Sequence, residues 1–391
     1  MNTALRQTTA LFADAYRELA AGKLFWITLV LSATVAGVFA AVGIDEEGMT
    51  VLWFRLPIPV DSSDISPGAL YKLLFFQLGI SVWLAWIATI LGLITTAGII
   101  PSLVSSGVID SMVAKPITRT RLFLTRYATG LLFAALQVGL FSGVAFLVLG
   151  VRGGEWLPAV FLAVPIVVVF FSYLFAIMAL VGLITRSTIT ALLLTLLVWF
   201  GLFIVNRVDE SLIQFHERAK IRIQTADERI ERGEANAKQI VLRAKQAEDP
   251  GVPDDYEPTR EELDSAIPTL ILVRQTREDA VRNEAELRPW TNGLFIAKTV
   301  LPKTTETIAL LDRYILSEDE ANEIFDIFTP GDGQSTVDEE TGAVRVSGDD
   351  AQQALVDRIR SRSLAWILGT SLLFESAILG ICCLIFTRRD F

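Results

Sequence analysis

Six long apolar runs, at 24–43, 70–96, 127–150, 157–184, 188–206 and 364–386, constrain this chain more than any other feature. Each has about the 20 residues or more that a helix needs to cross a hydrocarbon core roughly 30 Å thick. Lipid offers no partner to a backbone N–H or C=O, so a spanning segment must satisfy its own hydrogen bonds as a helix. The runs therefore predict an all-α polytopic membrane protein with six transmembrane helices. The first run lacks a small-residue cleavage pattern and is expected to be a retained span, not a signal peptide.

Charge is as segregated as hydrophobicity. The chain has 391 residues and a formal charge of −10, but residues 209–362 hold 33 Asp/Glu against 20 Lys/Arg, which leaves the rest mildly basic. An acidic soluble insert is a poor match for nucleic acid, whose phosphates call for clustered Lys and Arg. The bases gather in alternate connections. Arg6, Arg17 and Lys23 precede the first run, Lys115, Arg119, Arg121 and Arg126 lie between the second and third, Arg186 between the fourth and fifth, and Arg388 and Arg389 at the end. The intervening connections carry Asp45, Glu46, Glu47, Asp61 and Asp64 against Arg55 alone, or a single Arg152 and Glu155. By the positive-inside bias both termini face the cytoplasm and the insert lies outside. The expected location is a prokaryotic plasma membrane.

Four regions follow. Residues 1–23 form a cytoplasmic amphipathic helix with Leu5, Thr8, Phe12, Tyr16 and Leu19 on one face and Arg6, Asp14 and Arg17 on the other. Residues 24–206 hold spans one to five, 207–363 an extracytoplasmic domain, and 364–391 the last span with a cytoplasmic tail. The insert is expected to be mainly helical, with a coiled-coil hairpin over about 209–288. Leu212, His216, Ala219, Ile223, Ala226, Ile230, Gly233, Ala237, Ile240, Ala244 and Ala247 mark its first seam. Beyond Trp290, short amphipathic helices separated by Pro302 are expected at the outer membrane surface. A small hairpin is expected at 335–346.

Few residues suggest chemistry. Glu375 lies near the middle of the last run, where a carboxylate is costly. It is either a contact for substrate, ion or proton on a translocation path, or a protonated or hydrogen-bonded structural acid. Gly139 and Gly143 form a small-xxx-small pair suited to helix packing. His216, the one histidine, has no second ligand for a metal and reads as a polar register residue. The acids Asp332, Asp338, Glu339 and Glu340 lack calcium-loop spacing. Cys382 and Cys383, adjacent in the last run, read as small hydrophobes. No metal site and no cofactor is expected on the chain. It has no Gly-x-x-x-x-Gly-Lys-Ser/Thr loop, so it is not expected to be an enzyme or to hydrolyse ATP by that route.

The stretch between the second and third runs contains Asp110 and then Lys115-Pro116-Ile117-Thr118-Arg119, followed by Arg121 and Arg126. Here the chain resembles permease subunits of the type-2 ABC exporter superfamily. The resemblance covers about 1–206 and 290–391, and departs at the insert, which is much longer than the usual short helical hairpin. It implies a docking helix at about 102–123 that seats on a separate cytoplasmic ATPase, with Asp110, Lys115, Pro116, Ile117, Thr118, Arg119, Arg121 and Arg126 matching the family pattern. Independently, Val104, Val108 and Met112 share one helical stripe, and Pro116 stops the helix. The implied partners are that ATPase, which holds ATP and magnesium, a second permease copy, and membrane lipid. An envelope protein on the insert is a further expected partner. Two other readings stand beside this one. The first is a non-transport sensor or assembly factor whose insert binds envelope partners, and the second a secondary transporter relaying protons through Glu375.

Overall fold

The computed structural model describes residues 3–56, 66–104, 118–315, 336–337, 344–345 and 347–388. Among these, six helices are long and apolar enough to cross a membrane: α2 (Lys23–Ala41), α3 (Pro67–Val104), α4 (Arg119–Arg152), α5 (Pro158–Thr185), α6 (Thr188–Glu248) and α11 (Ala365–Arg388). Each contains the core of one apolar run. An N-terminal helix α1 (Thr3–Ala20) precedes them, and α7 (Arg260–Ala266), α8 (Thr269–Val300), α9 (Thr304–Ile315) and α10 (Gly348–Arg360) lie between α6 and α11. The chain divides into two compact units, the first made of Met1–Ile204, Thr299–Phe325 and Ser363–Phe391, the second of Val205–Lys298 and Asp326–Arg362.

Within the first unit, hydroxyls inside the apolar helices bond backward to carbonyls of the preceding turn, which removes their need for water. Thr28 donates to Leu24 O, Thr96 to Gly92 O and Thr195 to Ala191 O. Helix ends carry local signals. Ser66 caps α3 by accepting from Ala69 N, with Pro67 at the first position. Arg186 closes α5 in the left-handed region at φ 56°, an uncommon conformation for a residue with a Cβ. The core is dominated by aromatic rings. Phe75 stacks on Phe141, Tyr127 on Phe175, and Trp86 on Trp199, joining α3, α4, α5 and α6. Phe12, Tyr16 and Leu19 of α1 are half-buried and Asp14 and Arg17 exposed, as the amphipathic pattern predicts.

Three features depart from expectation. The connection after α2 holds a small antiparallel sheet, β1 (Val42–Asp45), β2 (Gly48–Val51) and β3 (Phe54–Arg55), so the helical chain carries a β element that the acidic loop did not announce. Its first turn is set by Asp45, which accepts from Glu47 N, and by Gly48 at φ 120°, a conformation glycine adopts without strain. Next, α9 is packed more deeply than an amphipathic pattern announces: Thr307, Leu310 and Leu311 are buried, and the helix packs on α5 and α3. Finally, nothing interrupts the chain near Trp290, because α8 continues through Pro289 to Val300.

In the second unit α6 and α8 run antiparallel. Arg277 pairs with Asp227, Arg274 with Glu234 and Lys298 with Asp209, so rising numbers on one helix meet falling numbers on the other. Ala226, Ile230 and Val273 form the apolar contact between them. Gly233 permits a close approach, since a Cβ there would meet Leu270 Cδ2 at 2.5 Å. The inward stripe is not the expected one along its whole length. Past Ala237 it continues to buried Val241, while Ile240 is 49% exposed and Ala244 and Ala247 face solvent. A four-residue step at this point keeps the stripe on the buried side where a three-residue step would rotate it outward. The second short ladder pairs β4 (Thr336–Val337) with β5 (Val344–Arg345), at the expected hairpin.

Candidate functional site

Glu375 is carried near the middle of α11 and is 8% exposed within the first unit. Its partners are hydroxyls. Tyr127 of α4 lies with its hydroxyl 2.8 Å from Oε1, and Ser172 of α5 with Oγ 2.8 Å from Oε2. Each hydroxyl has a second acceptor at 2.8 Å, the Ser172 carbonyl for Tyr127 and the Val169 carbonyl for Ser172. Two hydroxyl protons thus face four acceptor oxygens. Both aromatic faces around the cluster are filled: Tyr127 stacks on Phe175 at 5.0 Å between centroids, and Phe175 on Phe171 at 5.7 Å. No base is needed to hold the acid in place.

One turn before Glu375 on the same face, Ser371 accepts from Lys303 N at 3.0 Å. Lys303 is 1% exposed; its Nζ donates to the Thr299 carbonyl at 2.8 Å and to Thr370 Oγ1, and stands 4.9 Å above the Trp366 ring. Buried Lys303 and Ser371 thus form a second polar pairing, one helical turn from the Glu375 cluster.

A second construction lies where α1, the end of α3 and the start of α4 meet. Arg126, 9% exposed at its side chain, pairs with Glu18 of α1. They border a cavity of about 270 Å³ with Thr95, Gly98, Ser102 and Thr129. Of the sequence-derived docking residues, Val104 is buried at the end of α3, Thr118 occupies the N-cap of α4, and Arg119 and Arg121 lie in its first turn, half-buried. Val108, Asp110, Met112, Lys115, Pro116 and Ile117 lie outside the described residues. Gly139 and Gly143 meet nothing: a Cβ at either would find no atom within 4 Å. Close approaches fall instead at Gly79, against Phe141, and at Gly182, against Pro101.

The sequence did not reveal Glu375's partners, because a Tyr and a Ser inside apolar runs are common and only the folded helices bring residues 127, 172 and 375 together. Among the described residues no group of three or more His, Cys, Asp or Glu could hold a metal ion. Comparison with protein-family models, with curated proteins and with solved structures returns no match. What the fold defines is a multi-pass helical membrane protein.

Proposed function

We propose that the chain is the permease subunit of an ATP-driven ABC transporter, an exporter, powered by a separate ATPase subunit docked at about 102–123. In this reading the membrane is a prokaryotic plasma membrane. Both termini are cytoplasmic, the insert is extracytoplasmic with a coiled-coil hairpin, and two membrane subunits form the translocation unit. The observation that carries it is the joint of α1, α3 and α4 on either side of the proposed docking segment. A push on residues 105–117 acts on the end of α3 and the start of α4, and α1 moves with them through Glu18 and Arg126. The next residue on α4 is Tyr127, whose hydroxyl meets Glu375. Work done at the joint thus reaches Tyr127 along α4, and from there the buried carboxyl on α11 through one hydrogen bond. The experiment is purification from native membranes in mild detergent. A vanadate-sensitive ATPase in fixed ratio to this chain supports the reading; its absence under conditions that keep the chain folded overturns it.

The burial of Glu375 in a span, held by two hydroxyls, also favours a second reading, proton-coupled transport through Glu375. It predicts flux in sealed vesicles driven by a pH gradient without ATP.

A further inference from the structure

The second unit contains a cleft of about 720 Å³ between α6, α8 and α10. We propose that this cleft binds a phosphate group, held by Arg288 and Arg358. The argument is one of unmatched charge. The cleft is lined by Lys220, Arg288, Arg358 and Arg362 against Asp209, Glu217 and Glu284, within a sequence region whose acids far outnumber its bases.

Two of the three acids of the lining are already paired with cations, and the third, Glu284, has only the His216 imidazole, so the two guanidiniums of Arg288 and Arg358 still exceed the acid left to them. Asp209 accepts from Arg362 and from Lys298 at 2.8 Å each, Glu217 pairs with Lys220 at 3.0 Å, and Glu284 lies 3.7 Å from His216 Nε2. Arg288 and Arg358 pair with no acid among the described residues, although they sit on different helices and line the same cleft. Two like charges brought together repel, and an anion between them reverses the sign of that interaction.

A second observation concerns His216 in the wall of the cleft. Its Nδ1 is buried with no hydrogen-bond partner, so the imidazole brings an unsatisfied polar atom to the wall beside the two guanidiniums. Burial, with Lys220 next, holds this imidazole below its ordinary value against the opposing pull of Glu217 and Glu284, and Arg358 adds to the lowering. The ring is thus a neutral bonding group at pH 7.

Phosphate suits this donor set. Guanidinium forks match its oxygens, and Thr291 and Asn292 add neutral donors to the same lining. The volume greatly exceeds a lone oxyanion, and Ile213 and Phe295 supply apolar surface for the carbon skeleton that the phosphate carries. In sequence, Asp209 comes three residues after the apolar run that ends at 206 and Arg362 three residues before α11, so the phosphate could come from a lipid headgroup or from a soluble phosphate ester. The inference rests on the second unit alone and not on the transport reading.

The test titrates the full chain in non-ionic detergent with short-chain phosphatidylglycerol, phosphatidylcholine of equal acyl length, and glycerol phosphate. Arg288 and Arg358 are exposed, so the double variant Arg288→Gln/Arg358→Gln keeps the fold, checked by circular dichroism. The control Arg243→Gln/Arg260→Gln removes the same charge outside the cleft. The expected result is a Kd weakened about tenfold or more in the cleft variant and unchanged in the control. Loss of phosphatidylglycerol binding alone identifies a lipid source; loss of glycerol phosphate binding identifies a soluble one. The proposal is overturned if neither phosphatidylglycerol nor glycerol phosphate binds, if the cleft variant binds as tightly as the natural chain, or if the control weakens binding equally.

Discussion

The Tyr127 hydroxyl lies 2.8 Å from Glu375 Oε1, joining α4 to α11 across 248 residues of chain. Tyr127→Phe removes one donor and leaves a buried carboxyl oxygen without it, at a cost of about 1–3 kcal/mol. Glu375→Gln keeps a hydrogen-bonding group of the same shape but cannot exchange a proton. The phenylalanine variant is expected to melt at a lower temperature. The glutamine variant should insert and melt nearly as the natural chain does while its transport falls. Thermal unfolding in detergent and flux in vesicles separate the two effects; unchanged flux in the glutamine variant makes Glu375 a structural acid.

In the second unit Asp209 neutralises two cations at once. It is 3% exposed at its side chain, and Lys298 and Arg362 are 5% and 11% exposed. Asp209→Asn keeps the shape and leaves both cations buried without their counter-charge, which should destabilise the unit by about 3–5 kcal/mol. Lys298→Met should cost less, because Arg362 still balances the carboxylate. Protease susceptibility of the insert ranks the two variants, and equal resistance would refute the asymmetry.

The far end of the α6–α8 hairpin should be acid-sensitive. Glu262 receives Lys245, then the Thr259 N–H of its capping box, then the Tyr256 hydroxyl, and these hold its carboxyl at about 2 against an ordinary 4.5. The folded value is depressed, so the stabilisation is complete above about pH 4.5 and is lost as pH falls toward 2. The melting difference between the natural chain and Glu262→Gln should persist from pH 7 to 5 and vanish near pH 2. A difference independent of pH would contradict this clamp.

Much of this architecture was legible because lipid enforces it. Runs such as 127–150 must be helical, and the core of each lies within one of the six long helices. Less legible were features set by tertiary contact. Val241 rather than Ile240 turns inward because the partner helix, not the local spacing, selects the buried face. The burial of α9 was not legible because an amphipathic pattern suits a partly exposed helix as well as a packed one, and Lys303 just before it is held by Thr299, Thr370 and Trp366. Arg126 read as one of several topology-setting bases, and its pairing with Glu18, 108 residues earlier, had no local trace.

The central claim is that a separate ATPase engages the segment between α3 and α4, and co-purification of that ATPase with paired variants tests it most directly. Val108→Asp/Met112→Asp disrupts the apolar stripe of the segment. A small docking surface depends on a few buried anchors, so the loss should be several kcal/mol, on the order of complete detachment. Lys115→Gln/Arg119→Gln should weaken association only a few fold, with a loss that shrinks at high salt, because rim charges are screened. The account predicts that the first variant inserts normally and purifies without ATPase while the second retains it. An ATPase that stays bound and active on the Val108→Asp/Met112→Asp chain would contradict it.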